Sequence, residues 1–459
     1  MILPTWLRTV LLTVFLVGQG AVTALEFDIN DETSIKNAAA TAAYNMMSYY
    51  HGNESGQIPG KLEDTWWEGG AMFMTLIQYW YWTGDTSYND VTTQGMLWQK
   101  GNNDFFPSND SKDLGNDDQV FWGLAAMTAA ELNFTEQKDQ PSWLSLAQGV
   151  FNTQVPRWDD QNCGGGLRWQ IYPYQKGYTT KNAISNGGLF QLAARLAFYT
   201  TDQKYADWAE KIWDWSGKTP LLREDDWTIA DTTTIEAQCK DHGDLQWTYN
   251  YGTYLSGAAY MYNFTKGDDK WKKGLDGLMK TTFSTFFPQE FGGDVMSEIS
   301  CEPNMSCDRN QDCFKGFLSS WLTFITTVAP YTADEIIPKI QQSGIAAAKQ
   351  CSGENKNNCG RRWHQSTFDG AASLESDMSA LSIFSSNMIA HQDGSSRKPG
   401  PLTSDTGGTS KGDPNAGLST NQPVPLKPIT TGDRAGAGIL TVLLVSFWGA
   451  SVAWMVFGT

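Results

Sequence analysis

The sequence predicts an all-α domain closed into an (α/α)6 barrel, a toroid of six helical hairpins. Three observations carry this. A cadence recurs: an apolar helix rich in small or aromatic residues, a turn, then an amphipathic helix bearing Tyr or Trp, as in Ala71 to Val91, Gly188 to Trp213 and Tyr254 to Leu278. In each, a Thr/Lys–Gly/Thr–Asp turn precedes Tyr88, Tyr205 or Trp271, and self-similarity at this spacing implies stacked units that share a core. Next, a 3.6-residue period marks about twelve helical segments, starting near residues 31, 66, 87, 117, 142, 185, 203, 249, 269, 315, 333 and 370, while strand-like alternation is confined to pieces such as Gly165 to Tyr172. Finally, the even-numbered segments are nearly uncharged ("FWGLAAMTAA"), and helices apolar all round are buried ones. Six inner and six outer helices follow, with an open helical solenoid as the competing architecture.

The elements in chain order begin with a processing segment. Arg8 stands near an apolar run from Val10 to Val17, and small residues at Val22 and Ala24 suit signal-peptide cleavage after Ala24, so residues 1–24 are a signal peptide. Residues 25–391 hold the helical domain. Residues 392–431 are rich in Gly, Pro, Ser and Thr without apolar periodicity, the composition of a disordered stalk. Residues 432–459 contain the apolar stretch Ile439 to Phe457 behind the small-residue region Thr430 to Gly438. That is the pattern of a GPI-attachment signal, with Gly432 as the attachment site; a tail-anchored helix is the plainer reading.

Composition narrows the partners. The net charge of −17 argues against nucleic acid, whose phosphates need basic patches. Five N-x-S/T sequons, at Asn53, Asn109, Asn133, Asn263 and Asn304, fit the secretory pathway. The seven cysteines then lie in an oxidising compartment: Cys351 and Cys359 are close enough for a local bridge, Cys301, Cys307 and Cys313 form a second cluster, and an odd count leaves one thiol unpaired. Four scattered histidines and no CxxC or HExxH indicate no zinc site, and no metal or organic cofactor is expected. The 20 Trp, 17 Tyr and 22 Phe suit a groove that stacks on sugar faces.

Inner helices are introduced by "DTWWEGG", "GNDDQVFW", "KNAISNGG", "QWTYNYG" and "FDGAASLESD". If the inner helices run parallel, these starts converge on one end of the barrel, in a cleft rimmed by Trp66, Trp67, Trp122, Trp247, Tyr249 and Tyr251. Within "NDDQ", Asn116 as N-cap with Gln119 three residues on would make a capping box, and Asp117 and Asp118 would complement the helix dipole. The same pair also suits glycoside cleavage. A retaining glycosidase needs two carboxyls about 5–5.5 Å apart, one charged and one protonated. At that separation and an effective dielectric of 20 they repel by roughly 3 kcal/mol, more than the ~0.3–1 kcal/mol by which a dipole favours their charge. One group should therefore hold a proton while the other stays ionised.

The stretches "GNDDQVFWGLAAMTAAE", "CGGGLRWQI", "KNAISNGGLFQLAARLAFYT" and "TYNYGTYLSGAAYMY" resemble glycoside hydrolase family 76. The flanking segments make the likeness strongest to that family's fungal GPI-anchored mannan endo-1,6-α-mannosidases, a cell-wall branch. The resemblance implies an (α/α)6 barrel and a retaining mechanism at α-1,6-mannose linkages, with Asp117 as nucleophile and Asp118 as acid/base. It places Asn186, Asp231, Tyr249 and Asn250 in the cleft. Thr232 stands where the family has Gly after the aspartate, and Tyr251 replaces a Gln of the bacterial pattern. Trp122, one turn beyond Asp118, either stacks on a sugar or packs the barrel; Trp66, Trp169 and Trp247 are further sugar-binding candidates.

Three functions are in play. The first is a glycosidase on α-1,6-mannan or on the mannose core of GPI glycans, either hydrolysing or transferring the sugar to another hydroxyl. In the fungal branch the transfer would link GPI-anchored proteins to a β-glucan acceptor of the wall. The second is a mannan-binding wall protein without turnover, whose mark would be a missing carboxylate at Asp117 or Asp118; both are present. The third is a toroid lyase or uronyl hydrolase, which would need basic residues for a uronate.

Overall fold

A computed structural model describes residues 24–62, 65–108, 110, 112–353, 357–391, 400–418 and 430–458. The predicted leader up to residue 23, the sequon residue Asn109 and Asp64 of "DTWWEGG" lie outside these.

Twelve helices build the described barrel: α1 (Glu32–Met47), α2 (Trp67–Thr83), α3 (Asn89–Trp98), α4 (Asn116–Glu131), α5 (Trp143–Gln154), α6 (Ala183–Thr200), α7 (Gln203–Ser216), α8 (Thr248–Phe264), α9 (Asp269–Phe286), α10 (Phe314–Val328), α11 (Ala333–Gln350) and α12 (Leu374–Ser386). The even-numbered helices pack in a ring, α2 on α4, α4 on α6, α6 on α8, α8 on α10, α10 on α12, and α12 back on α2. That last contact closes the toroid and rules out the open solenoid. Odd-numbered helices clothe the outside, α1 lying against α12. Two small antiparallel ribbons complete it, β1 (Thr180–Asn182) with β2 (Thr232–Thr234) and β3 (Cys351–Gly353) with β4 (Asn358–Cys359). Gly165 to Tyr172 forms bends and irregular backbone instead of a strand, joined to the start of α4 by a bridge between Gln170 and Gly115 among other contacts.

The repeated turn has a backbone cause. Gly84 and Thr201 end their helices in the left-handed conformation (φ 79° and 58°), and Gly267 follows α8 at φ 98°. Asp202 and Asp268 then cap the next helix by accepting the N–H of Lys204 and Lys270. One short motif thus stops an inner helix and starts an outer one. In the barrel interior Arg195 pairs with Glu131 (2.7 Å), and Tyr260 donates to the same carboxylate (3.2 Å), so the buried charge is neutralised and hydrogen-bonded.

Three disulfides form: Cys163–Cys239, Cys301–Cys307 and Cys351–Cys359, with Cys313 buried as the free thiol. The first joins the loop before α6 to the loop before α8, a pairing that spacing did not reveal.

The expected disordered stalk is corrected for residues 400–418. Leu402 donates its N–H to the Glu131 carbonyl, and Ser404 to that of Tyr199. Asn152 Nδ2 donates to the carbonyls of Pro414 and Ala416 (2.9 Å each). Composition reports only a lack of apolar burial; here barrel carbonyls and side chains supply the polar partners that an extended segment needs. Beyond it, α13 (Thr431–Phe457) is long and apolar enough to cross a membrane, and none of its residues is buried.

Candidate active site

The start of α4 is organised by backbone and loop contacts. Gly115, extended at φ −87° and ψ 168°, is the N-cap, so the expectation of Asn116 as cap and Gln119 as its box partner is corrected. Asp118 supplies the box contact by accepting the Gly115 N–H (2.6 Å). Asn116 and Gln119 turn into the wall instead, where Arg157 donates to both (2.9 and 2.7 Å). Asn116 also donates its N–H to the Trp169 carbonyl and Nδ2 to that of Arg168. The polar flanks of "NDDQ" lock the helix to its neighbours and leave the two aspartates facing the cleft.

Gly115 also determines how closely the pair can sit. A Cβ on it would lie 2.3 Å from Asp117 Oδ1 and 3.3 Å from Asp118 Oδ2, so those oxygens are no farther apart than the sum of the two distances. Asp117 Oδ1 accepts the Asp118 N–H (3.0 Å), and Oδ2 accepts Asn182 Nδ2 (3.2 Å). Burial pushes both acids up. Asp118 rises to about 6, its bond from Gly115 opposing a further rise. Asp117 goes well above the usual carboxylate range, through burial and then the charge of Asp118.

Both aspartates line a cavity of about 400 Å³ at the N-terminal ends of the inner helices. Asp231 is its third acid, raised by burial and steadied by Asn250 Nδ2 (2.9 Å). Trp67, Trp169 and Trp247 supply aromatic walls, and Tyr249 stacks on Phe314 with ring centres 3.8 Å apart. Beneath Trp247, the buried Glu298 accepts both the N–H and the hydroxyl of Thr248 and is pushed up to about 8 by its burial.

Of the residues expected to bind sugar, Trp169, Asp231, Trp247 and Tyr249 line the cavity and five do not. Trp122 is fully buried, stacked on Trp66 and Phe105 (5.1 and 5.4 Å). Its indole fills the space left by Gly69 and Gly70 of α2, where any Cβ would collide with it. Trp66 is buried with Nε1 on Gln99. Asn186 clamps the glycine loop by bonding both the N–H and the carbonyl of Leu167, which steadies the segment leading to Trp169. Asn250 stands behind Asp231. Tyr251 is buried, its hydroxyl donating to Gln246 and accepting the Ile229 N–H.

Residue-type reasoning passed over Phe121, Asn182, Ile184, Leu245, Asn310, Gln311 and Phe314. Asn182 was legible as the polar start of "KNAISNGG"; Asn310 and Gln311, in the short 3₁₀ helix that leads into α10, carried no signal.

The profile of Glycosyl hydrolase family 76 matches residues 34–400. A mannan endo-1,6-α-mannosidase of Saccharomyces cerevisiae, DCW1, is 40% identical over 442 residues, covering 95% of this chain and 96% of its own. The crystal structure of Dfg5 from Chaetomium thermophilum in complex with glucosamine is 41% identical, with a TM-score of 0.81 over 86% of this chain and 98% of that one. An α-1,6-mannanase of Salegentibacter, an inactive variant with two consecutive aspartates changed to asparagine and bound to α-1,6-mannotriose, shares the fold at 17% identity. Its TM-score is 0.61, over 77% of this chain and 99% of that one.

Proposed function

This chain belongs to glycosyl hydrolase family 76, and on that premise we propose that it is a retaining glycosidase of α-1,6-linked mannose that transfers the cleaved sugar to a second glycan. The observation that carries the retaining mechanism is the closeness of the two carboxylates at Gly115. A separation of that order suits the ~5–5.5 Å of a retaining pair better than the ~6.5–9.5 Å of an inverting one.

Asp117 attacks the anomeric carbon while Asp118 gives its proton to the departing glycosidic oxygen. The covalent glycosyl ester on Asp117 is then displaced by an acceptor hydroxyl, whose proton Asp118 removes. Burial and the charge between the two carboxyls favour one proton held by the pair. Substrate assigns it: the glycosidic oxygen accepts from Asp118, and the developing positive charge at the anomeric carbon favours an ionised Asp117. Asn182 holds that carboxylate by one oxygen, and Asp231 with Trp169, Trp247 and Tyr249 receives the sugar rings.

We place the enzyme at the cell surface, held by a GPI anchor at Gly432, with the mannose core of GPI glycans as donor and a wall β-glucan as acceptor. Support comes from the exposed apolar α13, the names of the fungal relatives, and the glucosamine bound by one of them.

The test incubates the enzyme, Asp117→Asn and Asp118→Asn with α-1,6-mannotriose, with and without a β-1,6-glucan oligosaccharide, reading products by mass spectrometry. A mannosyl-glucan conjugate formed only by the unaltered enzyme supports transfer. Free mannose alone reduces the reading to hydrolysis, and activity retained in either variant removes the pair.

A further inference from the structure

The chain leaves the barrel core at the end opposite the cleft. Inner helix α12 starts at the catalytic face and finishes at Ser386, and the following turn ends at His391, bonded to the Ile29 carbonyl at the foot of α1. A tether leaving from there would hang the enzyme with its cleft pointing away from the membrane.

Residues 400–418 reverse that direction. Gly400 sits on the Tyr81 hydroxyl, and Leu402 donates to the carbonyl of Glu131, the last residue of α4. Ser410 bonds the Tyr199 hydroxyl and the Leu144 N–H at the start of α5. The segment then follows α5 to its far end, which lies at the catalytic face because outer and inner helices are antiparallel. Gly417 packs against Thr153 and Asp104, the residues that Gln119 in the first turn of α4 also contacts. Between the levels of Glu131 and Gln119 the strap climbs about 18 Å at 1.5 Å per helical residue. Glycines make the close passage: a Cβ on Gly412 would lie 2.6 Å from the Gln148 side chain.

We propose that this strap orients the anchored enzyme, turning its catalytic face toward the bilayer that holds it and toward glycans anchored in the same membrane. Only twelve residues stand between Leu418 and Thr431, where α13 starts. The face the strap reaches also carries exposed apolar side chains. Tyr49, Ile58, Trp98, Tyr174, Leu245 and Met305, all exposed, lie in or beside its loops, whereas Tyr331 stands at the opposite end. Ile58 and Trp98 share a groove with Gly101 and Phe106, next to Asp104 where the strap ends. The inference rests on the membrane attachment proposed above, and holds equally for a lipid anchor and for α13 itself.

The test uses the full-length chain with its own anchor in vesicles that carry an acceptor dye in the lipid. Flotation with the vesicles first establishes attachment, so that its failure is seen separately. A donor dye is placed through Met305→Cys or Tyr331→Cys; Cys313, the native free thiol, is buried. Energy transfer should be strong from position 305 and weak from 331, and the difference should vanish in Gly417→Val, which sets a side chain at φ 74° against the Gly149 carbonyl (2.9 Å) and so undocks the end of the strap. That variant should keep its turnover of soluble mannotriose within twofold and lose at least tenfold on the same sugar linked to a lipid. Equal or reversed transfer from the two positions, or lipid-linked turnover unchanged in Gly417→Val, overturns the proposal.

Discussion

Gly115→Ala isolates the geometry of the aspartate pair. The backbone at Gly115 is an ordinary extended conformation that alanine adopts without strain, so the added methyl acts only through space. It would meet Asp117 Oδ1 at 2.3 Å and the Trp169 carbonyl at 3.2 Å. A methyl and an oxygen settle near 3.2 Å or more, so the Asp117 carboxylate must retreat by about 1 Å, and a misplacement of that size costs roughly 10²-fold in rate. That is about 2.7 kcal/mol of barrier. Stability should change far less. Overpacking costs ~1–3 kcal/mol, and replacing glycine at a permissive site returns ~0.4–1 kcal/mol through the unfolded chain. The assay is kcat and KM on α-1,6-mannotriose beside a thermal melt. We expect kcat down about a hundredfold, with KM and Tm near those of the parent. A kcat within threefold of the parent would refute the argument that these carboxylates work because they share the space a side chain would fill.

Asp118, raised by burial to about 6, binds more proton folded than unfolded between about pH 4 and 6, so stability falls as pH rises through that window. Asp118→Asn should therefore gain about 1–3 kcal/mol at pH 7 while losing activity. Glu302 behaves oppositely. Its burial favours the neutral form, but Lys315 at 2.5 Å wins and brings it to about 2. That contribution is present above about pH 4.5 and lost as pH falls toward 2, and Glu302→Gln should cost about 3–5 kcal/mol in urea unfolding at pH 7. Removing Cys163–Cys239 by double Ser substitution reopens a span of 76 residues. It should cost about 4–5 kcal/mol, read as a lower melting temperature and weaker secretion.

Helix positions were legible because each level of the sequence agreed. The Gly or Thr stop, the Asp cap and the uncharged inner helix all point to one hairpin, and every predicted start lies within four residues of the helix found. Adjacency alone does not single out Asp117 and Asp118, because Asp31–Glu32, Asp268–Asp269 and Asp334–Glu335 also open helices; what sets the pair apart is its place on the cavity wall. The aromatic lining was not legible. Trp66 and Trp67 are adjacent and alike in type, yet one stacks on Trp122 inside the wall and the other faces the cleft; that choice depends on Gly69 and Gly70 of the same helix making room for an indole from another. The strap was illegible for a related reason. Its partners, Asn133, Asn152 and Tyr199, are spread over the barrel and only come together once it closes.

The contacts let Asp118 punctuate its helix and still face the cavity where the proposed chemistry takes place. Asp118 does cap, through Gly115, and an exposed capping carboxylate ordinarily has its pKa lowered by the helix dipole and the bond it accepts. Here it is raised, so burial outweighs both. A cap that protonates would normally loosen its helix. α4 does not depend on it, because the N–H of Asn116 is held by the Trp169 carbonyl, and the Asn116 carbonyl by Gln154 (2.7 Å). With the helix end secured elsewhere, Asp118 can take up and release a proton without moving the backbone that positions Asp117. In the proposed mechanism Asp118 switches from acid to base within a turnover and needs that independence; the buried Arg157, holding Asn116 and Gln119 on either side of the pair, supplies it.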